Sequence, residues 1–281
     1  MNIGQFIESG LPVSVMLPWI IGLFVAFISL SMAFQKSSFF KDKPIAAAHQ
    51  VVVIVPFTFL AVRGTWLWFF DPDFVAAFDE DKVFGKYLPS LEFVCVMLAF
   101  QIWDFSSTFA MCKELKGQAQ HIAHHASVIL LCCSAVLSGT HGFLLYYAPF
   151  FFGVAEISSL PLAFMDLFKY SKPLAEAYPV VFENVRTSFA VLFLLLRCIY
   201  WPFVSVDFWR AMLASDAPLG LQILWYFFNL ALTLLQFYWG SLVVKGIIKM
   251  LKGQNPIEAR ELGDALYPEA GEGSQGYVAV V

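Results

Sequence analysis

Three histidines stand together at the start of an apolar stretch, and imidazole is the side chain best suited to acid–base chemistry near neutral pH. His121, His124 and His125 follow the spacing i, i+3, i+4, so a helix would place all three within about 100° of one face. We predict that the deeper pair, His124 and His125, is catalytic. For His121 we expect substrate binding, with an interfacial role at the helix start as an equal interpretation.

Asp104 lies in the apolar stretch that precedes the histidines. A short connection should make the two helices neighbours. The carboxylate would then orient an imidazole and raise its basicity, which makes Asp104 a candidate catalytic residue. The alternative is a buried carboxylate that only joins two helices.

Glu156 lies in a later apolar stretch, flanked by Gly153 and Ser159. Ionisable side chains in such stretches are costly and indicate function, so we predict that Glu156 acts as an acid or base or binds a lipid hydroxyl. The alternative is a structural ion pair with Arg197, the one basic residue deep within an apolar stretch. Arg197 and Ser159 are also candidates for binding lipid or substrate.

The last apolar stretch carries small and polar residues on one face. Asn229, Thr233, Gln236 and Gly240 follow the spacing i, i+4, i+7, i+11. Such stripes commonly join helices in lipid. Pocket lining is the alternative, and it makes Asn229 and Gln236 candidates for lipid binding. His49, near the end of another apolar stretch, is a weaker candidate to join the histidines.

Metal and cofactor centres are not predicted. The histidine group resembles one box of the di-iron desaturases, but those sites draw on several boxes and this chain has five histidines in all. The five cysteines show no paired spacing, so neither a zinc site nor a disulfide framework is indicated. We expect no permanently bound cofactor.

The composition shows what must hold these residues. Of 281 residues, 59% are hydrophobic and 14% are charged, about half the charged fraction of soluble domains. This much apolar surface must meet lipid, which excludes soluble and disordered classes. The formal net charge of −4 gives no reason to expect nucleic-acid binding, and membrane lipids are the expected partners.

We predict an all-α polytopic membrane helix bundle, because about 20 apolar residues suffice to cross a bilayer as a helix. Pro149, Gly153 and Pro161 could divide the fifth span into two pieces. The seven predicted spans are 17–34, 44–62, 93–112, 122–140, 142–165, 187–206 and 217–244.

The loop charges predict the orientation. Most of the 17 basic residues fall in alternate loops and after the last span, whereas Asp71 to Asp81 form an acidic loop on the other side. The positive-inside rule then places the N-terminus in the lumen and the C-terminus in the cytosol. In this topology Arg197 lies lumenal to Glu156, which disfavours their pairing. The short spans suit the endoplasmic reticulum.

Several motifs resemble the TRAM/LAG1/CLN-type (TLC) domain. They are Trp103-Asp104, then His124-His125, then the run from Gly153 to Pro161, and two later segments, 184–202 and 235–239. The resemblance implies a six-helix domain over 45–252. An N-terminal segment with one extra helix, 1–44, would precede it, and an acidic cytosolic tail, 253–281, would follow.

In that family, ceramide synthases acylate sphingoid bases with acyl-CoA and carry a His-Asp-x-x-Asp element after the histidine pair. Here Ala155, Glu156 and Ser159 take those positions, so the chain is more similar to the TLC-domain-containing (TLCD) branch. That resemblance implies a role in lipid homeostasis.

Two functions therefore stay open. One is a lipid-binding regulator of phospholipid or sphingolipid composition with a cytosol-facing pocket in the membrane. The other is an acyl-CoA-dependent N- or O-acyltransferase in which His124 and His125 act as base and Glu156 and Asp104 support them. Only the second needs acyl-CoA, as a co-substrate.

Overall fold

The computed structural model describes residues 11–111, 119–137 and 143–252. All regular structure in these ranges is helical. The acidic tail, predicted for 253–281, lies outside the described residues. The helices are α1 (Leu11–Gln35), α2 (Pro44–Phe69), α3 (Pro72–Ala77), α4 (Leu88–Met111), α5 (Ala119–Leu137), α6 (Ala148–Phe151), α7 (Ser159–Tyr170), α8 (Lys172–Ala177), α9 (Pro179–Phe193), α10 (Trp201–Ala214) and α11 (Leu219–Leu251).

Five helical segments within the described ranges are long and apolar enough to cross a membrane: α1, α2, α4, α11 and the continuous 36-residue unit formed by α9 and α10. One more span, which corresponds to the predicted fifth and brings the total to six, forms if α6 and α7, bent by 42°, count as one. The apolar part of α5, Ile122–Leu137, is shorter than these. The predicted all-α polytopic helix bundle is confirmed, although the described residues give five or six such segments where seven spans were predicted. The difference lies in α5, whose apolar part is short.

Several helices extend past the predicted apolar stretches. The predicted sixth span, α9 with α10, begins at Pro179, and the predicted seventh span, α11, ends at Leu251. Hydropathy marks only the apolar part of a helix, whereas the helix itself continues until a residue ends it. Pro179 occupies the first position of its helix, where a missing N–H costs nothing.

The fifth span is broken where the backbone touches α2. A Cβ on Gly153 would lie 2.4 Å from the carbonyl oxygen of Pro149 and 2.7 Å from Cα of Gly64. Only glycine permits this approach. A short 3₁₀ helix, Val154–Ile157, follows and places Glu156 in the interior. The division into two pieces, expected from Pro149, Gly153 and Pro161, is present.

The sixth span contains a π-helical segment, Leu194–Tyr200, between α9 and α10. Pro202 follows it and has no N–H to donate, which loosens the helical hydrogen bonding at this level. π-helical turns are rare and often occur at functional sites. Arg197 is the buried residue of this segment.

Contacts at the helix ends define two ends of the bundle. At the basic end, Lys43 lies 5.5 Å from the ring centre of Tyr170. At the acidic end, Lys82 pairs with Asp207 at 3.0 Å, and the hydroxyl of Tyr147 donates to the same carboxylate at 2.9 Å. This network joins the segment between α3 and α4 to the middle of α10.

Candidate functional site

Asp104 lies at the centre of a buried chain of polar side chains. The Nε2–H of His49 donates to its Oδ1 at 2.5 Å, and Nε2 of His125 lies 3.3 Å from its Oδ2. Asp104 and His125 have no exposed surface, and His49 is 1% exposed. The three residues come from α4, α5 and α2, so one carboxylate joins three helices.

Gln101 extends this chain on α4. Its Oε1 lies 2.5 Å from Nδ1 of His125. Gln101 and Asp104 are three residues apart on one helix, so both face α5. Each ring nitrogen of His125 thus faces an oxygen atom, which suits an imidazolium. With the Gln101 amide reversed, the same site suits a neutral ring.

Packing fixes the position of His49. Its ring stacks on Trp103 at 5.2 Å between centres, with 10° between the planes. Ala46, Ala47 and Ala48 on the turn before it are fully buried, and such small residues allow α2 to approach its neighbours closely. His49 therefore reaches Asp104 from a helix that is far away in the sequence.

His124 points in a different direction from His125. Neighbouring residues on a helix diverge by about 100°, and the two ring planes are 78° apart. The ring of His124 lies 6.3 Å from that of Trp239 on α11. The two rings therefore face different sets of neighbours. The side chain of His121 lies outside the described part of the chain.

Arg197 forms a second buried polar cluster. Its Nη2 contacts Oε1 of Glu156 at 3.3 Å and donates to the hydroxyl of Ser159 at 2.9 Å. Its Nε donates to the hydroxyl of Ser158 at 2.9 Å. The ion pair with Glu156 forms although the predicted depths disfavoured it, because the 3₁₀ turn and the π-helical segment bring the two side chains to one level.

The stripe on α11 contacts the sixth span. Trp209 donates to the amide oxygen of Asn229 at 2.9 Å, and Trp201 donates to the hydroxyl of Thr233 at 2.9 Å. A Cβ on Gly240 would lie 2.4 Å from Sγ of Cys198. Gln236 is 1% exposed and makes no comparable side-chain contact among the described residues.

Asp166 lies near the basic end of α7 and is 1% exposed. Lys169 pairs with it at 2.8 Å. The helices that carry His49 and Asp166, α2 and α7, pack against each other. The buried ionisable groups therefore continue from Asp104 toward the basic end of the bundle.

The structure brings together Asp104 and His125 from the predicted set, and separately Glu156, Ser159 and Arg197. Sequence reasoning missed Gln101 and gave His49 little weight. The position of Gln101 three residues before Asp104 could have indicated it, whereas nothing in the sequence indicates that His49 reaches the same carboxylate.

Comparison with protein families gives a match to the TLC domain over residues 19–245. The match begins within α1 and ends in the last turns of α11, so it contains both polar clusters. No curated protein and no solved structure matches the chain.

Proposed function

Because the chain belongs to the TLC domain family, we propose that this multi-pass membrane protein acts in lipid homeostasis by binding a membrane lipid inside its helix bundle. The observation that carries the proposal is the buried chain of polar side chains that runs from His49 through Asp104 to His125. Ionisable groups within a membrane bundle are costly, and they mark the places where substrates or protons are handled.

A purely structural role explains this chain less well. Two or three small polar residues could join the same helices without burying a charge, and the desolvation cost of buried ion pairs often exceeds their attraction. Here two such clusters occur in one bundle, at Asp104 and at Arg197. Their number supports a site that meets a polar group of a lipid.

The charge distribution supports a location and an orientation for this activity. We place the basic end in the cytosol and the acidic end in the lumen of the endoplasmic reticulum, following the positive-inside rule. Lys43, Lys169 and Lys172 lie at the basic end, whereas Asp71, Asp73 and Asp81 lie at the acidic one. The pocket would then open toward the cytosol, from where Asp166 and Lys169 lead to His49.

The Arg197 cluster supports the TLCD type of function over ceramide synthesis. The resemblance places Glu156 at a position where ceramide synthases carry an aspartate. In this chain Arg197 contacts Oε1 of Glu156. Ser159 takes the position of their second aspartate, and its hydroxyl accepts a hydrogen bond from the guanidinium of Arg197. These contacts therefore stabilise the break between α6 and α7, and they leave Oε2 of Glu156 without a partner in the described ranges.

Acyl transfer from acyl-CoA is the second candidate, and the contact of Asp104 with His125 favours it. In this reaction Nδ1 of His125 would give up its contact with Gln101 and take the proton from a lipid amine or hydroxyl as that group attacks the thioester carbonyl. The C–S bond breaks, and the leaving thiolate of CoA takes up the proton. Asp104 would hold the imidazole and stabilise its charged form.

Purified protein separates the two functions. We would measure co-purified lipid and acyl-CoA hydrolysis or transfer for the wild type, His125→Ala and Ser107→Ala. Ser107 lies three residues after Asp104 on α4, and within the described ranges its hydroxyl donates to the backbone carbonyl of Asp104, so it is the matched control. The lipid-binding function predicts that none of the three proteins turns over acyl-CoA. It also predicts that the amount of co-purified lipid decreases in His125→Ala but not in Ser107→Ala.

Turnover by the wild type that is lost in His125→Ala would instead establish the acyltransferase. A wild-type protein that carries no lipid and turns over no acyl-CoA would overturn both.

A further inference from the structure

Gln236 is a buried carboxamide that the described residues do not satisfy. It lies near the middle of α11 and is 1% exposed. Neither its Nε2 nor its Oε1 has a hydrogen-bond partner in the described ranges. A carboxamide carries two donors and an acceptor with two lone pairs, and polar groups this deep in a protein are nearly always paired.

The same face of α11 shows how helix contacts satisfy polar groups. Asn229 and Thr233 each accept from a tryptophan indole of α10. Gln236 continues the stripe by one turn, but the sixth span offers its amide no partner. The joining of helices therefore explains Asn229 and Thr233 and leaves Gln236 unexplained.

Gln236 lies at the level of the Arg197 cluster. Sγ of Cys198, the residue after Arg197, donates to the backbone carbonyl of Gln236 at 3.6 Å. Glu156 binds Arg197 through Oε1, whereas its Oε2 is buried and has no partner within the described part of the chain. One amide and one carboxylate oxygen are thus available at one depth of an apolar bundle.

We propose that the amide of Gln236 binds the hydroxyl group of a membrane lipid in the bundle interior. The proposal rests on the proposed lipid-binding function and names its ligand class. A hydroxyl both donates and accepts, so it can pair with either end of the carboxamide. An ester carbonyl only accepts and would leave Oε1 of Gln236 unpaired.

The depth of Gln236 favours a lipid with a small neutral head. A charged phosphate head group loses its hydration at great cost when it moves to the middle of a membrane protein. A diacylglycerol carries one free hydroxyl, and its acyl chains are compatible with the many phenylalanines of the bundle. Diacylglycerol is therefore the probe that fits this site.

A matched pair of lipids tests the proposal. Purified protein would be incubated with 1,2-dioleoylglycerol or with its 3-O-methyl ether, which cannot donate, and bound lipid would be measured by native mass spectrometry. We expect the wild type to retain dioleoylglycerol about tenfold better than the ether, as the loss of a buried hydrogen bond predicts. Gln236→Leu should lose this preference.

Gln222→Leu is the control, because it makes the same replacement on the same helix at a residue bound to the backbone carbonyl of Ala217. It should keep the preference. Gln236→Met, of similar length, provides a second variant if Gln236→Leu does not fold. Equal retention of the two lipids by the wild type, or a preference that survives in both Gln236 variants, would overturn the proposal.

The result also separates this proposal from the proposed function. Wild-type protein that retains other lipids without preferring the free hydroxyl contradicts the hydroxyl site alone. Wild-type protein that retains no lipid of any kind contradicts both.

Discussion

His49 and His125 contact opposite oxygens of one carboxylate, that of Asp104, although they lie on different helices and 76 positions apart in the numbering. Each histidine thereby depends on the other for the position of the carboxylate. A substitution of either histidine should therefore change the position of the other, so His49, Asp104 and His125 act as one unit for stability and for function.

His49→Ala should destabilise the protein by about 2–4 kcal/mol, because it removes one partner of a buried carboxylate. Thermal unfolding in detergent would show a lowered midpoint. Gln50→Leu is the matched control, since Gln50 is equally buried and its amide atoms have no partner in the described ranges. We expect it to unfold at or above the wild-type temperature. Equal losses in the two variants would contradict the importance of the His49 contact.

Gly153→Ala should destabilise the bundle by about 1–3 kcal/mol, because its Cβ would collide with the backbone of α2 and of the preceding turn. The collision also moves the 3₁₀ turn that carries Glu156. Gly22→Ala, where a Cβ meets nothing within 4 Å, should leave the unfolding midpoint unchanged or raise it slightly. A tolerated Gly153→Ala would show that α2 and the break do not touch.

Arg197→Met should cost about 3–5 kcal/mol, because it leaves the carboxylate of Glu156 buried without its cation. Adding Glu156→Gln removes that stranded charge, so the double variant should recover part of the loss. A double-mutant cycle of unfolding free energies measures the coupling. Strictly additive single effects would mean that the pair contributes nothing to stability.

The orientation can be tested with glycosylation acceptor sites fused to the two ends of the chain. We expect the N-terminal site to be glycosylated in cells and the C-terminal site to remain unmodified, because the positive-inside rule, applied to the alternate basic loops, predicts a cytosolic C-terminus. A shift in gel mobility reversed by a glycosidase gives the readout. Modification of the C-terminal site alone would contradict the proposed topology and the proposed opening of the lipid site toward the cytosol.

The helical class and most spans were predictable, because they depend on runs of apolar residues that local sequence displays. The proximity of Asp104 to His125 was also predictable, since a short connection makes consecutive helices neighbours. The ends of the helices were less predictable. The first turns of α9 lie beyond the apolar run, and no hydropathy signal marks Pro179 as the start.

The remaining features depend on tertiary packing. His49 reaches Asp104 because alanines on α2 allow a close approach between helices. No local sequence pattern indicates the order of the helices around the bundle. The pairing of Glu156 with Arg197 depends on a 3₁₀ turn and a π-helical segment, which change the rise and the direction of their helices. An estimate of depth from uniform helices therefore placed Arg197 too far from its partner.

The most direct measurement compares cellular lipid composition after Asp104→Asn and after Ser107→Ala, each introduced in place of the wild-type chain at equal expression. Asp104→Asn keeps the size of the side chain and removes the charge between the two histidines. The account predicts that its lipid profile matches that of cells without the protein, whereas Ser107→Ala matches the wild type. A wild-type lipid profile in Asp104→Asn cells, with the protein folded and present, would contradict the central role of the buried chain.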